Sequence, residues 1–233
     1  MSFRIIKAIF IKQLKETFKN KEVLIQIVMF PIIAIVLTNS VSDNMVPPEY
    51  FVILFASMYV GMTPIIILSS IISGEKETGS LRMLIMSNVK PIEYILGISI
   101  YVMICTVIGL IIMGITGGYL GIQLLYFVGI CTLGMLVSIF IGSIIGIVSK
   151  NQMAANSLAV PAMMICAFVP MLSMFNESIK KFGSFLFTQQ INNVLTKLPL
   201  NEFPTQAILI ILANLFVFLI IYIRLFRKRN LLA

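Results

Sequence analysis

The amino-acid sequence predicts an all-α membrane protein with six transmembrane helices, and three observations carry the prediction. Hydrophobic residues fill 59% of the 233 positions and charged residues only 11%, where a soluble domain holds about half and about a quarter. The mean hydropathy is +1.05, so lipid is the natural solvent for most of this surface. The charges are also bunched between uncharged runs long enough to cross a bilayer, which takes about 20 apolar residues.

Five such runs occupy residues 23–42, 50–74, 94–149, 151–176 and 203–223. The third is 56 residues long and is interrupted at Gly117-Gly118-Tyr119-Leu120-Gly121, which suits a tight turn, so it reads as a helical hairpin. Six spans follow, at about 23–41, 50–73, 94–117, 121–148, 153–175 and 204–223. Between spans five and six, the uncharged run 182–196 contains Gln189, Gln190, Asn192 and Asn193. It is too short and too polar to cross, and is expected to be an extracellular re-entrant or interfacial helical element. Ile191, Val194, Leu195 and Leu198 share one helical face, so its simplest form is an amphipathic lid on the membrane.

Basic residues set the orientation, because Lys and Arg accumulate on cytoplasmic loops. A cytoplasmic N-terminus places 14 of the 17 basic residues inside and leaves Lys180, Lys181 and Lys197 outside. Both termini are then cytoplasmic, in a multi-pass protein of the cell membrane with a basic tail at 224–233. Ahead of the first span, residues 1–22 form an amphipathic helix: Phe3, Ile6, Phe10, Leu14 and Phe18 cluster opposite Arg4, Lys12, Lys15, Glu16 and Lys19. It is expected either to lie along the inner leaflet with its lysines at anionic head groups or to serve only as a positive-inside anchor. These first residues lack the short apolar core of a cleavable signal.

Composition also excludes functions. With no His and nine acidic residues, there is little from which to build a metal site or a hydrolytic centre, and no catalytic residue is assigned. Cys105, Cys131 and Cys166 lie far apart in apolar runs and read as small hydrophobes. The net charge of +8 flanks the spans without forming one patch, which argues against nucleic acid as a partner. Ion-driven pumps keep charges within the membrane, and none lies between 94 and 149. No TVGYG-like filter occurs either. Gly134, Ser138, Gly142 and Gly146 recur every fourth residue, a stripe that lets helices pack closely. Pro31, Pro64, Pro161 and Pro170 each free a carbonyl within a span.

The most informative segment is the second cytoplasmic loop, residues 73–93. Thr78 or Ser80 is expected to cap a short helix, with Glu75 and Glu77 near its positive end and Pro91 stopping it. Leu81, Leu84 and Ile85 would then form an apolar face with no lipid to bury it, shaped to fill a partner's groove. The run Gly74-Glu75-Lys76-Glu77-Thr78-Gly79-Ser80-Leu81, followed by Lys90-Pro91 and by Tyr94-Ile95-Leu96-Gly97 at the third span, strongly resembles the coupling-helix region of ABC type-2 transporter permeases. The resemblance covers the whole chain, with an N-terminal elbow helix, six spans and an outer helical element. It departs from members that carry a large extracellular domain.

That resemblance implies the permease subunit of a bacterial exporter, paired with a second permease subunit, the same or related, and with ATP-binding cassette ATPase subunits. It also implies that Glu75, Glu77, Gly79, Ser80, Leu81, Arg82, Leu84 and Ile85 contact the ATPase. No GxxxxGKS/T loop is present, so no cofactor is expected on this chain and ATP and Mg belong to the partner. The implied cargo is lipophilic or amphipathic, a peptide in preference to a lipid, glycan or drug. A non-transporting membrane assembly or immunity factor is the alternative class.

Overall fold

The structure, a computed structural model, describes residues 3–17, 21–41, 47, 49–87, 89–200 and 204–228. Among these the chain is helical, without strands. The helices are α1 (Phe3–Thr17), α2 (Lys21–Ser40), α3 (Glu49–Glu77), α4 (Ser80–Met86), α5 (Pro91–Thr116), α6 (Ile122–Val148), α7 (Gln152–Leu172), α8 (Glu177–Gly183), α9 (Phe187–Lys197), which runs into a 3-10 turn at Leu198–Leu200, and α10 (Thr205–Lys228). Six of them, α2, α3, α5, α6, α7 and α10, are long and apolar enough to cross a membrane. The hairpin turn between α5 and α6 uses Gly118 at φ 80° and Gly121 at φ 57°, a left-handed conformation that costs glycine little.

Three boundaries differ from expectation, two of them in the charged loop. Helix α3 continues to Glu77, so the acidic motif is the last turn of a span and does not lead into α4. Pro91 does not stop α4, which ends at Met86. It is the first residue of α5, where its missing N–H would have had no helical partner, and Glu93 accepts the Lys90 backbone N–H at 3.3 Å. At the other end, α10 runs on to Lys228 and takes Arg224 into the helix. Arg229, Phe18 and Lys19 lie outside the described residues.

Helix α3 is the hub, packed against α2, α5, α6, α7 and α9. It is enclosed on every side, which is why its sequence is apolar all round and shows no stripe. Two of the span prolines, Pro31 and Pro64, are matched by side chains from other helices. Pro31 cannot donate to Ile27, and the Tyr59 hydroxyl donates to that carbonyl at 3.0 Å. Pro64 cannot donate to Val60, and the Ser138 hydroxyl takes its place at 2.6 Å. In a medium without water, a freed carbonyl needs such a substitute.

The small residues of α6 lie against this hub. A methyl group at Gly142 would stand 2.8 Å from the Ile65 carbonyl oxygen and 2.9 Å from that of Pro64. One at Gly146 would stand 2.8 Å from Ile72 Cβ, and one at Gly134 would overlap Ile191. Ile191 belongs to α9, which is not a lid. Gln189, Gln190 and Asn192 are buried along with Ile191, Val194 and Leu195, because α3, α6, α7 and α10 surround the helix. Part of its polar face is hydrogen-bonded within the protein: Ser173 donates to Gln189 at 2.7 Å, Gln189 to Asn193 at 3.1 Å, and Asn193 to Gln190 at 3.1 Å, while the Thr188 hydroxyl and the Asn192 side-chain nitrogen are buried without a hydrogen bond.

Candidate functional site

The end of α3 gathers the charged residues. Successive helical residues turn by about 100°, so Glu75, Lys76 and Glu77 point in three directions, and each reaches a different helix. Glu75, 8% exposed, accepts from Lys12 at 2.6 Å and Gln13 at 2.7 Å on one carboxylate oxygen, which ties α3 to α1. Its second oxygen is buried without a hydrogen bond, and the buried Tyr94 hydroxyl faces the carboxylate without forming a well-shaped one.

Lys76 reaches the C-terminal end of α6 and donates to the carbonyls of Ile147 at 2.7 Å, Ser149 at 2.8 Å and Gly146 at 3.3 Å. Glu77 turns to the start of α7 and accepts the Gln152 backbone N–H at 2.9 Å, while Asn151 caps the same helix by accepting from Ala154 at 2.8 Å. The signs match the helix ends: a cation sits on the negative terminus of α6 and an anion on the positive terminus of α7. One turn of α3 therefore binds three other elements.

Helix α1 is seated beside it on α5. A methyl group at Gly97 would stand 2.8 Å from Ile9 Cγ2, so the missing side chain lets the two helices touch. The Thr17 and Tyr101 hydroxyls are hydrogen-bonded, and Phe10 meets the Tyr101 ring edge-on. The buried line of α1 is Ile9, Gln13 and Thr17, one face round from Ile6, Phe10 and Leu14, which are half-buried, while Phe3 stays exposed. Lys12, read in the sequence as a head-group lysine, is half-buried in its ion pair with Glu75.

Helix α4 follows after a two-residue link. Gly79 adopts φ 71°, and nothing lies within 4 Å of where its side chain would be, so conformation and not space requires glycine there. Thr78 does not cap α4. Its hydroxyl donates back to the Gly74 carbonyl at 3.0 Å and lies 2.9 Å from the Ser80 hydroxyl. Leu81 does not belong to an open apolar face either. It is 2% exposed and anchors α4 on the bundle, as a seven-residue helix requires. The outward apolar residues are Met83, 63% exposed, and Met86, 78% exposed, beside exposed Arg82. Leu84 is half-buried, and the Ile85 side chain lies outside the described residues.

Between α1, α3 and the start of α7 lies a cavity of about 490 Å³, lined by Lys12, Glu16, Ser70, Glu75, Glu77 and Gln152 among others. A second cavity of about 270 Å³ shares Val23 and Ser70 with it and continues between α2, α3 and α7 past Gln26, Asn156 and Met163. Gln152 donates to Ser70 at 2.8 Å at their junction. Searching the spans for charges alone passes over Gln26, Ser70, Gln152 and Asn156. The signal available for them was uncharged polar residues recurring in the first, second and fifth spans. Among the described residues no group of three or more His, Cys, Asp or Glu side chains is placed to hold a metal.

Six helices long and apolar enough to cross a bilayer, with charges gathered at the end of α3 and a short helix beside them, define a multi-pass membrane protein. From residue 4 to residue 227 the sequence matches the model of the ABC-2 family transporter proteins, and the chain belongs to that family. Such permeases are membrane transport subunits, and ATP hydrolysis is normally the work of an ABC ATPase partner. No curated protein sequence matches the chain.

Proposed function

We propose that this chain is the permease subunit of an ATP-driven exporter in the cell membrane, with both termini cytoplasmic. It pairs with a second permease subunit and with two ATPase subunits that supply ATP and Mg, and it moves an amphipathic peptide outward. The observation that carries this reading is the joint between α4 and α3. The exposed Met83 and Met86 offer apolar, adaptable side chains to a partner's groove, and the link at Gly79 leads directly into the turn bound to α1, α6 and α7. A pull on α4 when the ATPases close is thus delivered to four helices at once. In that movement Glu75, Lys76 and Glu77 act as positioning residues, with Arg82, Ser80 and Leu84 beside the contact.

The two connected cavities support the cargo class. The walls of the smaller one pair neutral polar groups, Gln26, Ser70 and Asn156, with Val23, Ile67, Val160 and Met163, a lining suited to a molecule that is part polar and part apolar, while the larger one carries the charged Lys12, Glu16, Glu75 and Glu77. The test is Glu77→Gln in vesicles containing the ATPase. The variant is expected to reach the membrane and bind the ATPase, yet to lose cargo-stimulated ATP hydrolysis and transport. Wild-type levels of both would overturn the proposal.

A further inference from the structure

Among the described residues, three methionines stand exposed at the end of the bundle where α3 stops: Met83 and Met86 on α4, and Met153 in the first turn of α7, 79% exposed. The Glu77–Gln152 hydrogen bond of 2.9 Å places the start of α7 at that end. Sulfur within the bundle is harder for a water-borne oxidant to reach. Met113 and Met135 are buried, and Met29 and Met164 sit midway along the spans α2 and α7. The three thiols also lie inside spans, Cys131 and Cys166 buried and Cys105 half-buried. Met83 and Met86 differ from Met153 in what surrounds them. Three residues apart on a seven-residue helix, they share one face. Among the described side chains of α4 they are the whole outward apolar surface, because Leu81 is buried and Leu84 half-buried.

Adding oxygen to a thioether turns a flexible apolar side chain into a polar one. On Met83 and Met86 that change strips the apolar character from the face read above as the ATPase contact. It leaves the seating of α4 alone, because the anchor is Leu81, which has no sulfur to oxidise. Resting on that reading of α4, we propose that Met83 and Met86 form an oxidation site through which a peroxide blocks docking of the ATPase. A sulfur lone pair attacks one peroxide oxygen, and the S–O bond forms as the O–O bond breaks. The departing hydroxide takes the proton of the transferred oxygen and leaves as water, so sulfur loses two electrons and hydrogen peroxide gains them. Methionine sulfoxide reductases, one for each sulfoxide epimer, reverse the change, and the block is therefore reversible. It acts on the chain before the ATPase is seated, since a seated subunit covers α4.

The experiment treats the full chain, purified in detergent, with hydrogen peroxide and then offers it the ATPase recovered with tagged wild type, while peptide mass spectrometry reports the oxygen gained at each methionine. Met83, Met86 and Met153 are expected to be oxidised ahead of Met113 and Met135. Retention of the ATPase should fall at least about tenfold, in step with oxidation of Met83 and Met86, and treatment with both reductases should restore it. Met153→Leu should be as sensitive to peroxide as wild type, and Met83→Leu/Met86→Leu should hold whatever retention it starts with. Full retention by a chain oxidised at both α4 positions overturns the inference and leaves the exporter reading intact. So does sensitivity that disappears in Met153→Leu, persists in the α4 variant, or is not reversed by the reductases. Failure of untreated wild type to bind any ATPase overturns the exporter reading, and this inference with it.

Discussion

The ion pair that joins α1 to α3 predicts an asymmetry between its two partners. Lys12 Nζ lies 2.6 Å from Glu75 and 3.7 Å from Glu16, and its side chain is 32% exposed against 10% for Glu75. Lys12→Met keeps the aliphatic stem but leaves a mostly buried carboxylate whose remaining hydrogen-bond donor is the Gln13 amide. An exposed pair is worth about 0.2–1 kcal/mol, and breaking a fully buried pair costs about 3–5 kcal/mol. This pair is buried on one side only, so about 2–3 kcal/mol is expected. Glu75→Gln leaves a lysine that can turn to Glu16 and an amide that needs no counter-charge, at about 1 kcal/mol. For a chain of this size these correspond to midpoint losses of about 5–10 °C and about 3 °C. A double-mutant cycle read by unfolding in detergent should return a coupling of about 1–2 kcal/mol. A coupling below about 0.3 kcal/mol, or a Glu75→Gln variant that unfolds as early as Lys12→Met, would refute the reasoning.

Three further outcomes follow from the packing. Lys76→Met should lower the unfolding midpoint by removing the charged donor from the end of α6, at about 2 kcal/mol, with Lys76→Arg recovering part of it. Ser138→Ala should cost about 1–2 kcal/mol by leaving the Val60 carbonyl unpaired, and adding Pro64→Ala should restore much of that, because residue 64 then donates to Val60. Gly142→Leu should cost more than either, since the obstacles are the backbone oxygens of Pro64 and Ile65, which cannot swing aside. Thermal unfolding of the purified variants checks all three.

The six crossings were legible in the sequence because run length and the Gly117–Gly121 interruption are local properties. The stripe on α6 was legible as a stripe for the same reason, but not the surfaces it meets, α3 and Ile191 of α9. Each proline announced a freed carbonyl. The donors that replace the bond at Pro31 and Pro64, Tyr59 and Ser138, come from other helices, and no local pattern points to them. The charged loop misled in one respect. Glu75, Lys76 and Glu77 look like solvated residues between spans, whereas they complete α3 and their partners lie some 60 to 75 positions away. Leu81 and α9 show the same limit: amphipathic spacing marks an apolar face, but only the tertiary neighbours decide whether lipid, a partner or the chain itself covers it.

The most direct test of the permease assignment is to recover the chain by a C-terminal tag from gently solubilised membranes, comparing wild type with Met83→Asp/Met86→Asp. Co-purification of an ATP-hydrolysing subunit with wild type, and its loss from a variant that still reaches the membrane, is the predicted result. An ATPase retained equally by the variant would contradict the role given to α4, and the absence of any ATP-binding partner from wild type would contradict the exporter reading itself.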